Sequence, residues 1–352
     1  MLENKLAIVS VSLGQHTSHT LTDKIAAAAH AGFAGIEITY PDLEAYAAAL
    51  SVSMLVSARQ IGDFCKEKEI HVLAFASFQN YEGSPLPLSD RLEKAEKWLE
   101  LARALGAEHL QMPSNYERVI NNHHQVMVSE LRQLADRASA KRPIIKIAYE
   151  NLAWSSHCTT WQEALVIVQE VDRDNFGLCL DSFHLSTFLW ADPYSTSSRQ
   201  PNGDETLEES LRALVQDCPL DRLFYLQLSD GERMDPPYSE SHPWYNPSLE
   251  VGHVWSNEAR PFPLETEYGA FMPVQEIAQA FLVGLGFKGW VSGDVRQADE
   301  EEREWARPEC KARCSGMAKS ERPDFASSPC IDGRVSATRR YTTRIPHLRA
   351  RS

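Results

Sequence analysis

Phe176-Gly177-Leu178-Cys179-Leu180-Asp181-Ser182-Phe183-His184 is a short apolar run that ends in a carboxylate, with an imidazole three residues later. Runs of this length, apolar on both faces, are typical of strands buried inside a parallel sheet. The pattern has company. Residues 144–149 end in Glu150-Asn151, residues 223–228 carry Gln227 and lead into Ser229-Asp230, and residues 290–292 lead into Gly293-Asp294.

Outward from these four, the strand candidates are residues 6–12, 35–39, 71–77 and 109–112. Helical periods separate them, at residues 21–31, 56–68, 91–105, 126–140, 161–171, 207–216 and 274–285. Repeated strand–helix alternation predicts a parallel sheet with helical crossovers. Eight strands in this order predict a (β/α)8 TIM barrel. No Gly-x-Gly-x-x-Gly turn follows the first strand, which counts against a dinucleotide fold.

The chain has 352 residues, 43% hydrophobic and 24% charged, enough for a large buried core. Its net charge of −14 argues against nucleic acid as the main partner, because phosphate binding needs a basic surface. Met1-Leu2-Glu3-Asn4-Lys5 does not read as a signal peptide, and no run approaches the ~18 apolar residues of a membrane span. Seven scattered cysteines fit reduced thiols and a cytoplasmic location. Two segments break the rhythm. Residues 229–272 form a long Pro-, Ser- and aromatic-rich loop after the seventh strand, of the kind that makes lids and binding loops. Residues 301–352 carry 12 Lys/Arg against 7 Asp/Glu, whereas the chain as a whole is acidic. We expect a barrel domain over residues 1–295, then over 296–352 a degenerate last barrel element and a disordered tail.

In such a barrel the C-terminal strand ends converge on one mouth. Glu150, Asp181, Gln227 and Asp294 close four consecutive strands, and three carboxylates with one carboxamide suit a divalent ion: Mg, Mn, Co or Zn. His184, one turn beyond Asp181, is the candidate proton carrier, with Glu150 beside it. Ser182 lacks the Gly-x-Ser-x-Gly elbow of a hydrolase, and Cys179 reads as a small core residue. Glu37, closing the second strand, reads as half of an internal salt bridge.

Further stretches carry a resemblance: Leu6-Ala7-Ile8 with Ser12-Leu13-Gly14, Gly35-Ile36-Glu37, Gln111-Met112-Pro113-Ser114-Asn115, Tyr149-Glu150, residues 175–181, Phe224-Tyr225-Leu226-Gln227 and residues 284–292. In this order the chain resembles the xylose isomerase-like TIM barrels, and within them the fungal-type 3-dehydroshikimate dehydratases of quinate and shikimate breakdown. The resemblance implies a metal-dependent lyase that converts a small anionic hydroxy-ketone into protocatechuate. It implies metal ligands at Glu150, Asp181, Gln227 and the acidic residue after the eighth strand. There the family carries Glu, and this chain the shorter Asp294. It also matches Arg260 and His242, in the long loop, to residues that contact substrate. Gln79 and Tyr81, after the third strand, are further pocket candidates. The expected partners are a small substrate and a second copy of the chain, with no nucleic acid and no membrane. A sugar (phosphate) isomerase or epimerase of the same fold, or an impaired pseudoenzyme, are the alternatives.

Overall fold

The computed structural model describes residues 4–16 and 18–297. Among the described residues there are ten strands: β1 Leu6–Val9, β2 Gly35–Thr39, β3 His71–Ala76, β4 His109–Pro113, β5 Lys146–Glu150, β6 Phe176–Asp181, β7 Leu223–Leu228, β8 Ala259–Arg260, β9 Trp290–Gly293 and β10 Arg296–Gln297. Strands β1 to β7 and β9 pair in parallel and close into a barrel, β9 joining β1. Of the segment expected over residues 296–352, all but Arg296 and Gln297 lie outside the described residues. Arg296 and Gln297 are still paired structure, antiparallel to β8 across the mouth.

Alternation along the strands makes two cores. Ala7, Leu73, Ala74, Ala148, Cys179 and Tyr225 form a small cluster of their own. Ile8, Ile36, Val72, Leu110, Ile147, Leu178, Leu226 and Val291 belong to the larger cluster shared with the helices. Small residues in the first set are what an eight-stranded barrel can accommodate in its interior.

Local chemistry fixes the ends of the elements. Thr160 caps helix Trp161–Val171 in a reciprocal capping box with Glu163, and Gly106 adopts the left-handed conformation that stops helix Leu88–Leu105. Asp181 does double duty. It ends β6 and caps helix Ser182–Leu189 by accepting the Phe183 N–H at 2.9 Å. That turn leaves no loop between strand and helix, so His184 stands one turn above Asp181.

The long excursion is ordered. It contains helix Val251–Glu258, which leads directly into β8. Buried Asp230 secures it, accepting backbone N–H bonds from Gly231, Leu264, Phe271 and Met272 at 2.8 to 3.2 Å. Helix Tyr40–Leu50, absent from the expected periods, also forms, with proline in its first turn. Among the described residues, no helix is long and apolar enough to cross a membrane.

Candidate metal centre and active site

Register sets Glu150 opposite Pro113 and Asp181 opposite Gln227, so these side chains leave neighbouring strand ends. Glu150, Asp181 and His184 converge: donor atoms from all three lie within 4.8 Å of one another, and all three are buried. Among the described residues this is the one such group that could hold a metal ion.

His184 is closely positioned. The Ala153 N–H donates to Nδ1 at 3.2 Å, and Nε2 lies 3.4 Å from Glu150 Oε1. With Nδ1 accepting, the neutral ring carries its proton on Nε2, directed at Glu150. Trp154 meets the imidazole edge-on at 4.9 Å and stacks on His253 at 5.2 Å, making an aromatic wall. The other Glu150 oxygen accepts from Gln111 Nε2. Burial raises the Glu150 carboxyl above its ordinary range, against the pull of His184.

Asp181 behaves oppositely. Burial alone would raise it, but the Arg260 charge, His184 and the Phe183 and Ser229 donors hold it below its ordinary value. Arg260 Nη2 donates to Asp181 Oδ2 and to Ser229 Oγ, the latter at 2.6 Å. Its Nη1 donates to Ser256 Oγ at 3.0 Å and lies 3.2 Å from Asp294 Oδ2. The guanidinium rests 4.5 Å over the Phe183 ring.

Two of the expected site residues have other partners in this structure. Asp294 lines the mouth but is not part of the convergent group; its carboxylate is drawn to Arg260 instead. Arg260 is 2% exposed and engaged on both Nη atoms, so it braces carboxylates rather than presenting a free fork. Gln227 lines the cavity, with Nε2 donating to Glu37 at 3.0 Å and Oε1 accepting from the Cys179 thiol at 3.5 Å. Among the described residues, Glu37 has no salt-bridge partner. Neutral donors Tyr225 (2.8 Å) and Gln227 hold it, and burial pushes it up to about 7 against those bonds.

The mouth opens into a cavity of about 1040 Å³. His242 is on its wall, with burial lowering its pKa, and Gln79 is on its rim, accepting from the Tyr116 hydroxyl at 2.8 Å. Tyr81 does not reach it. That residue is 1% exposed, donates to the Glu130 carbonyl at 3.2 Å and packs on Phe78, a core position rather than a pocket one. Ser182 exchanges hydrogen bonds with the Ser229 backbone at 2.8 and 2.9 Å, and Cys179 is buried in the barrel with its thiol pKa pushed up. Neither is a nucleophile. Gln111, the partner of Glu150, was not among the expected site residues; its place on the fourth strand, in the stretch Gln111-Met112-Pro113-Ser114-Asn115, was the available signal.

The family model for the xylose isomerase-like TIM barrel matches residues 25–311. A Neurospora crassa protein named 3-dehydroshikimate dehydratase is 38% identical over 322 residues, 85% of this chain and 89% of its own length. Among solved structures, an IolI protein with bound zinc superposes with a TM-score of 0.60 at 19% identity, covering 89% of this chain and 97% of that one. A probable 3-DHS dehydratase from Bacillus anthracis gives 0.56 at 14% identity, covering 90% and 100%. At those identities the two structures speak for the fold alone.

Proposed function

Since the chain belongs to the xylose isomerase-like TIM barrel family, we propose that it dehydrates 3-dehydroshikimate to protocatechuate, as the name of its Neurospora relative suggests. The observation that carries this reading is the convergence of Glu150, Asp181 and His184 at the barrel mouth of a chain alike to that dehydratase along most of its length.

The donor set fits a divalent ion: hard carboxylate oxygens on adjacent strand ends and a carboxamide whose nitrogen is already directed elsewhere. Glu150, Asp181 and Gln227 would hold it. A bound divalent ion would supply electrophilic stabilisation of the enolate that forms when a proton leaves the carbon beside a ketone.

The chain's own residues do the rest. Glu150 and His184 face each other across 3.4 Å, close enough for a proton to pass between them. In this reading the pair takes the proton from the carbon beside the ketone and gives one to the departing hydroxyl, which leaves as water. One proton enters the pair and one leaves, so it ends as it began. The Ala153 N–H holds the ring with Nε2 on the reacting side, and Gln111 fixes the Glu150 carboxylate. Arg260 keeps Asp181 ionised. The epimerase alternative uses paired carboxylates from the fifth and last barrel strands on two faces of one carbon, and Asp294 is held by Arg260 instead.

The test is direct. Purified protein with Mg²⁺, Mn²⁺, Co²⁺ or Zn²⁺ is mixed with 3-dehydroshikimate, and protocatechuate is followed by ultraviolet absorbance. Product with at least one metal is expected. No product with any of the four, together with epimerisation of a ketose, would overturn the assignment.

A further inference from the structure

The turn that presents the Ala153 N–H sets the His184 ring, and that turn is anchored from outside the cavity. We propose that Glu82 is a positioning residue for catalysis, fixing the turn from behind the barrel wall, an inference that rests on the dehydratase reading.

Glu82, in the loop after β3, is fully buried and does not line the cavity. Its own backbone needs no help from its carboxylate. Arg91 Nη1 donates to the Tyr81 carbonyl at 2.6 Å, and the Gly83 N–H donates to Glu130 Oε2 at 2.8 Å, so both neighbours are tied down. The Glu82 carboxylate reaches outward instead. Its Oε1 accepts the Asn115 N–H and the Tyr149 hydroxyl, each at 2.9 Å, and lies 3.2 Å from His157 Nε2. These partners come from the loop after β4, from β5 and from the loop after β5.

Two routes lead on to the proton-transfer pair. In the first, the Asn115 carbonyl accepts the Ser155 hydroxyl at 2.8 Å and the Ser156 N–H at 3.0 Å. The Ser155 N–H closes on the Leu152 carbonyl at 2.9 Å, which leaves Ala153 and Trp154 at the tip of the turn. In the second, Tyr149 and His157 hold the same loop at its two ends. Tyr149 adjoins Glu150 on β5, and strand alternation puts its ring in the outer core while the Glu150 carboxylate faces the mouth. One buried carboxylate therefore stands behind both Glu150 and His184.

Stability alone does not account for it. Among the described residues, Glu82 Oε2 and His157 Nδ1 are buried without hydrogen bonds, a destabilising arrangement that well-packed apolar side chains would avoid. What the arrangement supplies is precision, since a displacement of ~1 Å at a reacting group can cost about 10²-fold in rate.

The experiment follows turnover and the His184 ring together in Glu82→Ala, Glu82→Gln and Ser155→Ala. Nitrogen NMR of metal-free protein with isotope-labelled histidine, at about pH 8, reads which ring nitrogen carries the proton, and His184→Gln assigns the signal. Glu82→Ala should lower kcat for 3-dehydroshikimate about 10²-fold, leave KM within about threefold, and spread the His184 proton over both nitrogens. Glu82→Gln keeps an oxygen for Asn115 and Tyr149, and should return kcat to within about fivefold of wild type. Ser155→Ala cuts the first route at a half-buried position, and should lower kcat ~10-fold with the same ring signature. It decides the question where Glu82→Ala does not unfold cooperatively. An unchanged His184 signal with kcat within about threefold, in a folded Glu82→Ala or otherwise in Ser155→Ala, overturns the proposal. A wild type without turnover whose His184 signal still depends on these residues sinks the dehydratase reading and leaves this one standing. Turnover with a ring signal indifferent to both residues does the reverse.

Discussion

The two ends of the barrel carry charge in opposite ways. At the N-terminal floor, His71, Glu108 and Lys146 are each a third or more exposed, and they neutralise one another: Glu108 lies 3.2 Å from His71 and 2.9 Å from Lys146. The His71 hydrogen bond, aided by Lys146, lowers Glu108 to about 2 despite its burial. Indole and phenyl faces finish the floor, with His71 stacked on Trp290 at 5.3 Å and Lys146 5.4 Å over Phe224. At the mouth, Glu37, Glu150, Asp181 and Asp294 are all buried, with Arg260 as the buried cation among them. Floor charges are matched and wet, and serve the fold. Mouth charges are dry and in excess, an arrangement that costs stability and is kept where chemistry needs it.

Arg260 holds the mouth together. Arg260→Met would leave Asp181 and Asp294 buried without their cation, and we expect a loss of about 3–5 kcal/mol in metal-free buffer, read from urea denaturation. A loss below about 1 kcal/mol would mean the mouth is not held by this brace.

His109 marks a weak place at the floor. Its Nδ1 bonds the Leu73 carbonyl at 2.9 Å while burial lowers its pKa to about 4. Between an unfolded pKa near 6.5 and this value, the unfolded chain takes up a proton that the folded ring refuses. Stability is therefore intact above about pH 6.5 and falls as pH drops toward 4, by at most about 3 kcal/mol. His109→Asn should flatten urea midpoints measured between pH 7 and 4; an unchanged pH dependence would clear His109 of the effect. Lys146→Ala, at a solvated pair, should cost no more than about 1 kcal/mol, and less in high salt. A cost like that of Arg260→Met would erase the contrast between the ends.

The mouth was legible in the sequence as far as strand ends reach. Apolar runs closing in Glu150, Asp181 and Gln227 gave the barrel and its C-terminal rim, because burial on both faces writes an unbroken apolar signal. Partnerships were not legible. The Arg260–Asp294 pair depends on two-residue strands meeting across the mouth, too short to leave a periodic pattern. Gln111 was visible in a motif, but its bond to Glu150 follows from neighbouring strands packing side by side, which one strand does not reveal. Tyr81 failed for a similar reason: proximity to the third strand said nothing of the turn that sends it toward Glu130. Helix Tyr40–Leu50 escaped because its alanines are spread over several faces and blur the amphipathic stripe.

The central claim is that the mouth holds buried charge for catalysis and not for stability. Glu150→Gln tests it with two readings on one preparation: protocatechuate formation with the best metal, and thermal unfolding. The account predicts that turnover falls by about 10³-fold, roughly 4 kcal/mol in the barrier, while Tm stays level or rises because a buried carboxylate has been replaced by a neutral isostere. Turnover within tenfold of wild type, or a Tm that collapses together with activity, would contradict it.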